Sequence, residues 1–126
     1  MAEFSPIAYD NKHNRVYQLV RNDIYGFSID PPEKLWSTEI ESDSVIRHRG
    51  IAYFGGDVYV ATFHDILKLS ADTGEILETG RIPRDLMMSD RINVFNDKLV
   101  FLPEKGGLIT YSLETLEEIG RVENES

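Results

Sequence analysis

Five of the eight arginines of this chain, Arg47, Arg49, Arg81, Arg84 and Arg91, fall in or beside two short stretches, residues 41–49 and 83–90. A guanidinium presents a planar fork of donors that matches carboxylate or phosphate, so such a gathering suits an anion or an acidic partner. The same stretches carry Glu41, Asp43, Asp85 and Asp90, which offer internal pairing as the alternative. His48 and His64, with Asp65 beside the second, add nitrogen and oxygen donors. Their spacing matches no zinc pattern, and a metal would need a third donor in fixed geometry, so no metal site is expected. The stretch Pro83-Arg84-Asp85-Leu86-Met87-Met88-Ser89-Asp90 places three consecutive apolar residues between charged ends. Methionine adapts to irregular surfaces and serves at partner contacts; packing of Leu86 and Met87 against the body of the fold is the alternative. Arg47, His48, Arg49, His64, Asp65, Arg84, Leu86, Met87 and Arg91 are therefore the candidate binding residues. No Gly-x-Ser-x-Gly elbow and no phosphate loop occurs, so no catalytic residue is assigned and no cofactor is expected.

Three copies of one pattern must position these residues. They run Ile7-Ala8-Tyr9, Val16-Tyr17, Ile24 to Ser28, Leu35-Trp36; then Ile51-Ala52-Tyr53, Val58-Tyr59, Ile66 to Ser70, Ile76-Leu77; then Ile92-Asn93-Val94, Leu99-Val100, Leu108 to Ser112, Leu116. Ile24, Ile66 and Leu108 are each 42 residues apart. Each copy parses by two-residue alternation into four short strands separated by turn residues. In the second copy the strands are expected at 50–54, 58–62, 66–70 and 75–79. Segment 114–120 could be read as helical, but its register matches the fourth strand of the other copies, so it is assigned to strand. Gly55-Gly56, Asn96-Asp97 and Gly106-Gly107 read as hairpin turns, and the repetition of Ser70 at Ser112 favours a structural role for both. Four strands per unit at this period predict an all-β chain of three four-stranded antiparallel β-propeller blades: 4–42, 43–83 and 84–126. In that architecture the connections from the fourth strand to the next blade, and those from second to third strand, gather at one mouth. The candidate binding residues belong to those connections.

The segment Ile66-Leu67-Lys68-Leu69-Ser70-Ala71-Asp72-Thr73-Gly74-Glu75-Ile76-Leu77 resembles the repeat of quinoprotein-type (PQQ-like repeat) propellers, in which a strand enters an acid-Thr-Gly turn and leaves towards a docking tryptophan. Trp36 stands at the tryptophan position of the first copy, and Glu78 and Gly120 at that position in the others; Pro31-Pro32 replaces Thr-Gly in the first copy. The resemblance implies scaffold repeats, with Trp36 packed between blades. The quinone and calcium sites of particular members of that family have no matching residues here.

Composition narrows the partners. A net charge of −9 opposes nucleic-acid binding, which draws its affinity from phosphate neutralisation. The chain holds no cysteine, no apolar leader and no stretch of membrane-spanning length. A cytoplasmic protein without membrane contact is the default expectation. Three blades leave the outer faces of the first and third uncovered, and a contiguous apolar face of that kind calls for a neighbour. A homodimer completing a six-bladed ring, or the remaining blades of a longer chain, would supply it. The expected function is a non-catalytic binding or assembly module whose mouth engages a protein or peptide. The alternative is a small-molecule, anion-binding or enzymatic site at the same mouth.

Overall fold

The computed structural model describes residues 7–40, 50–62, 65–82, 92–103 and 106–123. Twelve strands form three antiparallel sheets of four, and the described residues contain no helix. Blade 1 holds β1 (Ile7–Asp10), β2 (Arg15–Val20), β3 (Asp23–Ile29) and β4 (Pro32–Glu39). Blade 2 holds β5 (Ile51–Phe54), β6 (Asp57–Ala61), β7 (Asp65–Ser70) and β8 (Ile76–Arg81). Blade 3 holds β9 (Asn93–Phe95), β10 (Lys98–Phe101), β11 (Gly107–Ser112) and β12 (Glu118–Glu123). In every blade the strands pair in sequence order, and the expected blade limits at 42/43 and 83/84 lie outside the described residues.

The 42-residue register holds down to an irregularity. A one-residue shift interrupts the pairing of third and fourth strands at Gly26/Phe27, at Lys68/Leu69 and at Thr110/Tyr111. Across it Trp36, Glu78 and Gly120 face Gly26, Lys68 and Thr110, so the three occupy one structural position. A recurring bulge bends each outer strand at the same point, as a feature of the repeat.

Turn chemistry closes the hairpins. Gly55-Gly56 and Asn96-Asp97 have positive φ at both turn residues, 60° and 92°, then 46° and 64°, as two-residue hairpin turns require. Ser70 Oγ accepts from the Asp72 and Thr73 N–H groups, and Ser112 Oγ from those of Glu114 and Thr115. Thr73 and Thr115 then accept from Glu75 and Glu117. These bonds correct one expectation: residues 114–117 belong to the turn, and the strand begins only at Glu118. The backbone groups at the start of segment 114–120 are occupied by hydroxyl acceptors, so they are not offered to a sheet ladder. The same turn starts β8 at Ile76 rather than at Glu75, and β8 extends through Arg81.

Two cores lie between the blades. Tyr17, Leu19, Ile24, Trp36 and Ile40 of blade 1 meet Ile51, Val58, Val60, Leu67, Leu69 and Ala71 of blade 2. Tyr59, Ala61, Ile66 and Ile82 on the other face of blade 2 meet Ile92, Leu99, Phe101, Ile109, Tyr111, Leu113 and Leu116 of blade 3. Strand β6 shows how alternation builds both: Val58 and Val60 turn one way, Tyr59 and Ala61 the other, and all four are buried. Blade 2 is thus covered on both faces.

Candidate functional site

Of the residues expected at the mouth, the structure places Asp65. Arg47, His48, Arg49, His64, Arg84, Leu86, Met87 and Arg91 lie outside the described residues. Asp65 opens β7, half-buried, and its backbone is clasped to Thr62 in both directions. Its N–H donates to Thr62 Oγ1 at 3.0 Å, and its carbonyl accepts from the Thr62 N–H at 2.8 Å and the Thr62 hydroxyl at 3.2 Å. Thr62 is itself 3% exposed. The clasp holds together the two strand ends between which Phe63 and His64 lie in sequence.

The seam between blades 1 and 2 is the most specified part of the molecule. The Trp36 indole N–H donates to the Ala71 carbonyl at 2.8 Å, and the Thr38 hydroxyl to the Gly74 carbonyl at 2.6 Å. The indole covers Gly26 on its own blade and Gly74 on the next. A Cβ at either glycine would come within 3.0 Å of the ring, so both positions exclude a side chain while the tryptophan is in place. Tyr17 stacks on Trp36 with ring centroids 6.0 Å apart, and on Tyr53 at 5.6 Å. Arg15 Nη1 reaches Asp72 Oδ1 at 2.6 Å across the rim of the seam.

Behind that rim sits an acid that sequence reasoning missed. Asp10 is 3% exposed, at a position where the other copies have the exposed Phe54 and Phe95. Its Oδ1 accepts from the Lys12 and His13 N–H groups, and its Oδ2 lies 2.8 Å from His13 Nδ1. Burial alone would raise its pKa, but bonds from His13 and from the Tyr53 hydroxyl outweigh it and hold the carboxyl below the usual range. The sequence signal was the interruption of an apolar alternation by aspartate just ahead of a four-residue turn. Tyr17 beside it has its phenol pushed up by burial, with the neighbouring Arg15 guanidinium opposing.

The second seam is built from the same positions with the sizes exchanged. Gly80 stands where Thr38 does, and Leu116 where Gly74 does; a Cβ at Gly80 would overlap the Leu116 carbonyl and side chain. Leu116 adopts a φ of 60° in the position Gly74 fills at 78°. The Leu113 carbonyl, equivalent to that of Ala71, accepts from the Tyr59 hydroxyl at 3.4 Å in place of an indole. Burial pushes the phenols of Tyr59 and Tyr111 up to about 12. At the rim, Asp57 and Glu114 occupy the places of Arg15 and Asp72, so two acids stand where the first seam has an ion pair. Lys68 lies 3.8 Å from Asp57. This seam stays open as a groove of about 430 Å³ lined by Phe54, Asp57, Lys68, Lys98, Glu114 and Ile119, among others. Among the described residues no group of three or more His, Asp or Glu side chains could hold a metal.

Compared by sequence, the chain matches no family model and no curated protein. Compared by structure, it is similar to BamB from Moraxella catarrhalis, at a TM-score of 0.72 and 12% identity, over 92% of this chain and 35% of that one. It is also similar to the quinohemoprotein alcohol dehydrogenase from Comamonas testosteroni, at 0.72 and 18% over 87% of this chain and 19% of that one. A europium-containing methanol dehydrogenase matches at 0.70 and 19%, over 86% of this chain and 23% of that one. The chain therefore spans between a fifth and about a third of these neighbours' length. With three four-stranded sheets, a bulge recurring at one register and a tryptophan docked on the next blade's Thr-Gly turn, the fold of this chain is that of three consecutive β-propeller blades, which resemble those of PQQ-repeat proteins.

Proposed function

We propose that this chain is a non-catalytic binding and assembly module, whose mouth engages a protein or peptide through Arg47, His48, Arg49, His64, Asp65, Arg84, Leu86, Met87 and Arg91. The observation that carries the reading is the use to which the described polar groups are put. Asp10, His13, Arg15, Asp72, Ser70, Ser112, Thr38 and Thr62 all close turns or bind one blade to the next. Chemistry for a partner is then left to the connections at the mouth, where the arginines and the Leu-Met-Met run are concentrated. The clasp between Thr62 and Asp65 supports a rigid base for them. Leu86 and Met87 supply the apolar contact, and Arg84 and Arg91 the charges that would meet an acidic partner.

The test compares protein captured by the immobilised wild type with that captured by Leu86→Asp and Arg84→Glu. Loss of a specific partner in both variants, with unchanged melting temperature, is the expected result. Melting temperatures of the wild type measured across a panel of anions, metals and sugars supply the opposing arm. A clear rise with one of them, and equal capture by all three proteins, would replace this reading with a small-molecule site.

A further inference from the structure

The residues blade 1 turns outward are those its sister blades bury. Tyr9 is 57% exposed, while its equivalents Tyr53 and Val94 pack into the two cores. Ile29 is 52% exposed, against 1% for Ala71 and 8% for Leu113. Ile7 is 37% exposed, against 4% for Ile51 and 1% for Ile92. Tyr25 and Phe27 stack on each other on this half-buried face, where blades 2 and 3 have Leu67, Leu69, Ile109 and Tyr111 buried. Blade 3 is open on the complementary side. Val122, at the position of Thr38 and Gly80, is 65% exposed, and a Cβ at Gly120, the tryptophan position, would meet nothing within 4 Å.

We infer that the occupant of both faces is a second copy of this chain: the outward face of blade 1 in one copy seats on the outward face of blade 3 in the other, twice, in a six-bladed ring. The inference rests on the reading of the chain as an assembly module and names the partner that assembly takes. Continuity with the two internal seams fixes the register. Val122 meets Pro32, as Thr38 meets Gly74 and Gly80 meets Leu116; Gly120 meets Ile29, as Trp36 meets Ala71.

Charge supports the same pairing. The equivalents of Arg15 and Asp72 in the new seam are Lys98 and Asp30, so the rim ion pair lost between blades 2 and 3 is regained between copies. Both side chains are placed for it: Asp30 is exposed, and among the described residues Lys98 pairs with the exposed Asp97, at 3.4 Å. Each contact occurs twice about the two-fold axis, so the ring closes without an unpaired face.

The experiment uses three measurements on the intact chain. Light scattering after size exclusion at micromolar concentration is expected to give twice 14.4 kDa. Because the chain has no cysteine, Pro32→Cys and Val122→Cys each introduce a single thiol. A disulfide-linked dimer is expected on oxidising the mixture of the two variants, and from neither alone. Asp30→Lys and Lys98→Asp, both surface changes that leave the cores intact, should each weaken the dimer on the order of tenfold by placing like charges at two contacts. Mixing them should restore it, because every contact in the mixed dimer is again of opposite sign. A monomeric mass, a disulfide from Pro32→Cys alone, or a dimer with neither cross-link nor charge rescue would each overturn the ring. Leu86→Asp should leave the mass unchanged. A monomer that still captures a partner through the mouth overturns the ring alone, and a dimer that captures nothing overturns the mouth alone.

Discussion

Replacing Trp36 and its seat should expose how much of the fold rests on one seam. The side chain is 8% exposed, stacks on Tyr17, covers Gly26 and Gly74, and donates to the Ala71 carbonyl at 2.8 Å. Trp36→Ala removes that buried area and leaves a cavity, a change costing about 3–5 kcal/mol. It also leaves the Ala71 carbonyl without its donor, adding about 1–3 kcal/mol where water cannot replace it. Against a total stability of roughly 5–15 kcal/mol this approaches unfolding. Trp36→Phe keeps a ring and loses the donor, so its cost should be about 1–3 kcal/mol, most of it the orphaned carbonyl.

Gly74→Ala attacks the same contact from the other side. Its φ of 78° is unfavourable for any side chain, by roughly 1–2 kcal/mol. Its Cβ would also overlap the indole, adding about 1–3 kcal/mol of overpacking. The overlap with the indole is relieved once the tryptophan is gone, leaving only a contact of that Cβ with the Thr38 hydroxyl at 2.7 Å. The double variant with Trp36→Ala should therefore cost less than the sum of the two singles by about 1–3 kcal/mol. Urea unfolding followed by far-ultraviolet circular dichroism, at one fixed protein concentration, measures the cycle without relying on the fluorescence of the single tryptophan. Additive costs, or a Trp36→Ala cost below about 1 kcal/mol, would show that the seam is not held as described.

Further outcomes follow from other positions. Gly80→Ala should destabilise by about 1–3 kcal/mol although its φ is unexceptional, because its Cβ overlaps Leu116 backbone that cannot move aside; thermal melts against wild type measure it. Stability should fall as pH rises from 10 towards 12, since the Tyr59 and Tyr111 phenols bind their protons more tightly folded than unfolded. A rise to about 12 corresponds to a few kcal/mol for each, on the order of 3, and urea midpoints across that range, with Tyr111→Phe as control, report it. Asp10 has the opposite sign: its carboxyl is held below the usual value, so its contribution is complete above about pH 4 and lost as pH falls through its folded value. Asp10→Asn should flatten the acid limb of the stability profile; an unchanged limb would mean the His13 and Tyr53 bonds contribute nothing.

The architecture was legible because the repeat is written in buried positions. Equal spacing of Ile24, Ile66 and Leu108 carried the register, and the bulges at Gly26, Lys68 and Thr110 fall on it without displacement. Trp36 as an inter-blade residue followed from the resemblance to the quinoprotein-type repeat, and the paired roles of Ser70 and Ser112 from their recurrence at equivalent positions. The strand edges could not. Thr115 and Ser112 hydroxyls hold residues 114–117 in a turn, and a local hydroxyl acceptor leaves no trace in an alternation pattern. The burial of Asp10 was equally hidden, because it depends on Tyr53, a residue of another blade, and on a four-residue turn whose N–H groups converge on the carboxylate. Of the mouth residues, Asp65 alone falls among those described, and its backbone role with Thr62 was not foreseen.

The positions where the repeat departs from itself carry information of their own. A chain of identical blades would have identical seams, and nothing would distinguish an internal seam from one made with another molecule. Here one pair of facing positions is Thr38 over Gly74, the next is Gly80 over Leu116, and the free ends offer Val122 and Pro32. Leu116 would drive into Thr38 if blade 3 were set against blade 1 in place of blade 2, and Gly80 would leave Gly74 without a side chain to cover it. Rim charge sets no order of its own: Asp30, Asp72 and Glu114 are all acids, so Arg15 suits any of them and Asp57 faces an acid in every arrangement. Size therefore penalises an exchange of blades 2 and 3, which is specificity obtained by mismatch as much as by fit. The departures of the motif at Glu78, Gly120 and Pro31-Pro32 are, in these terms, part of what makes the two seams and the two outward faces differ from one another.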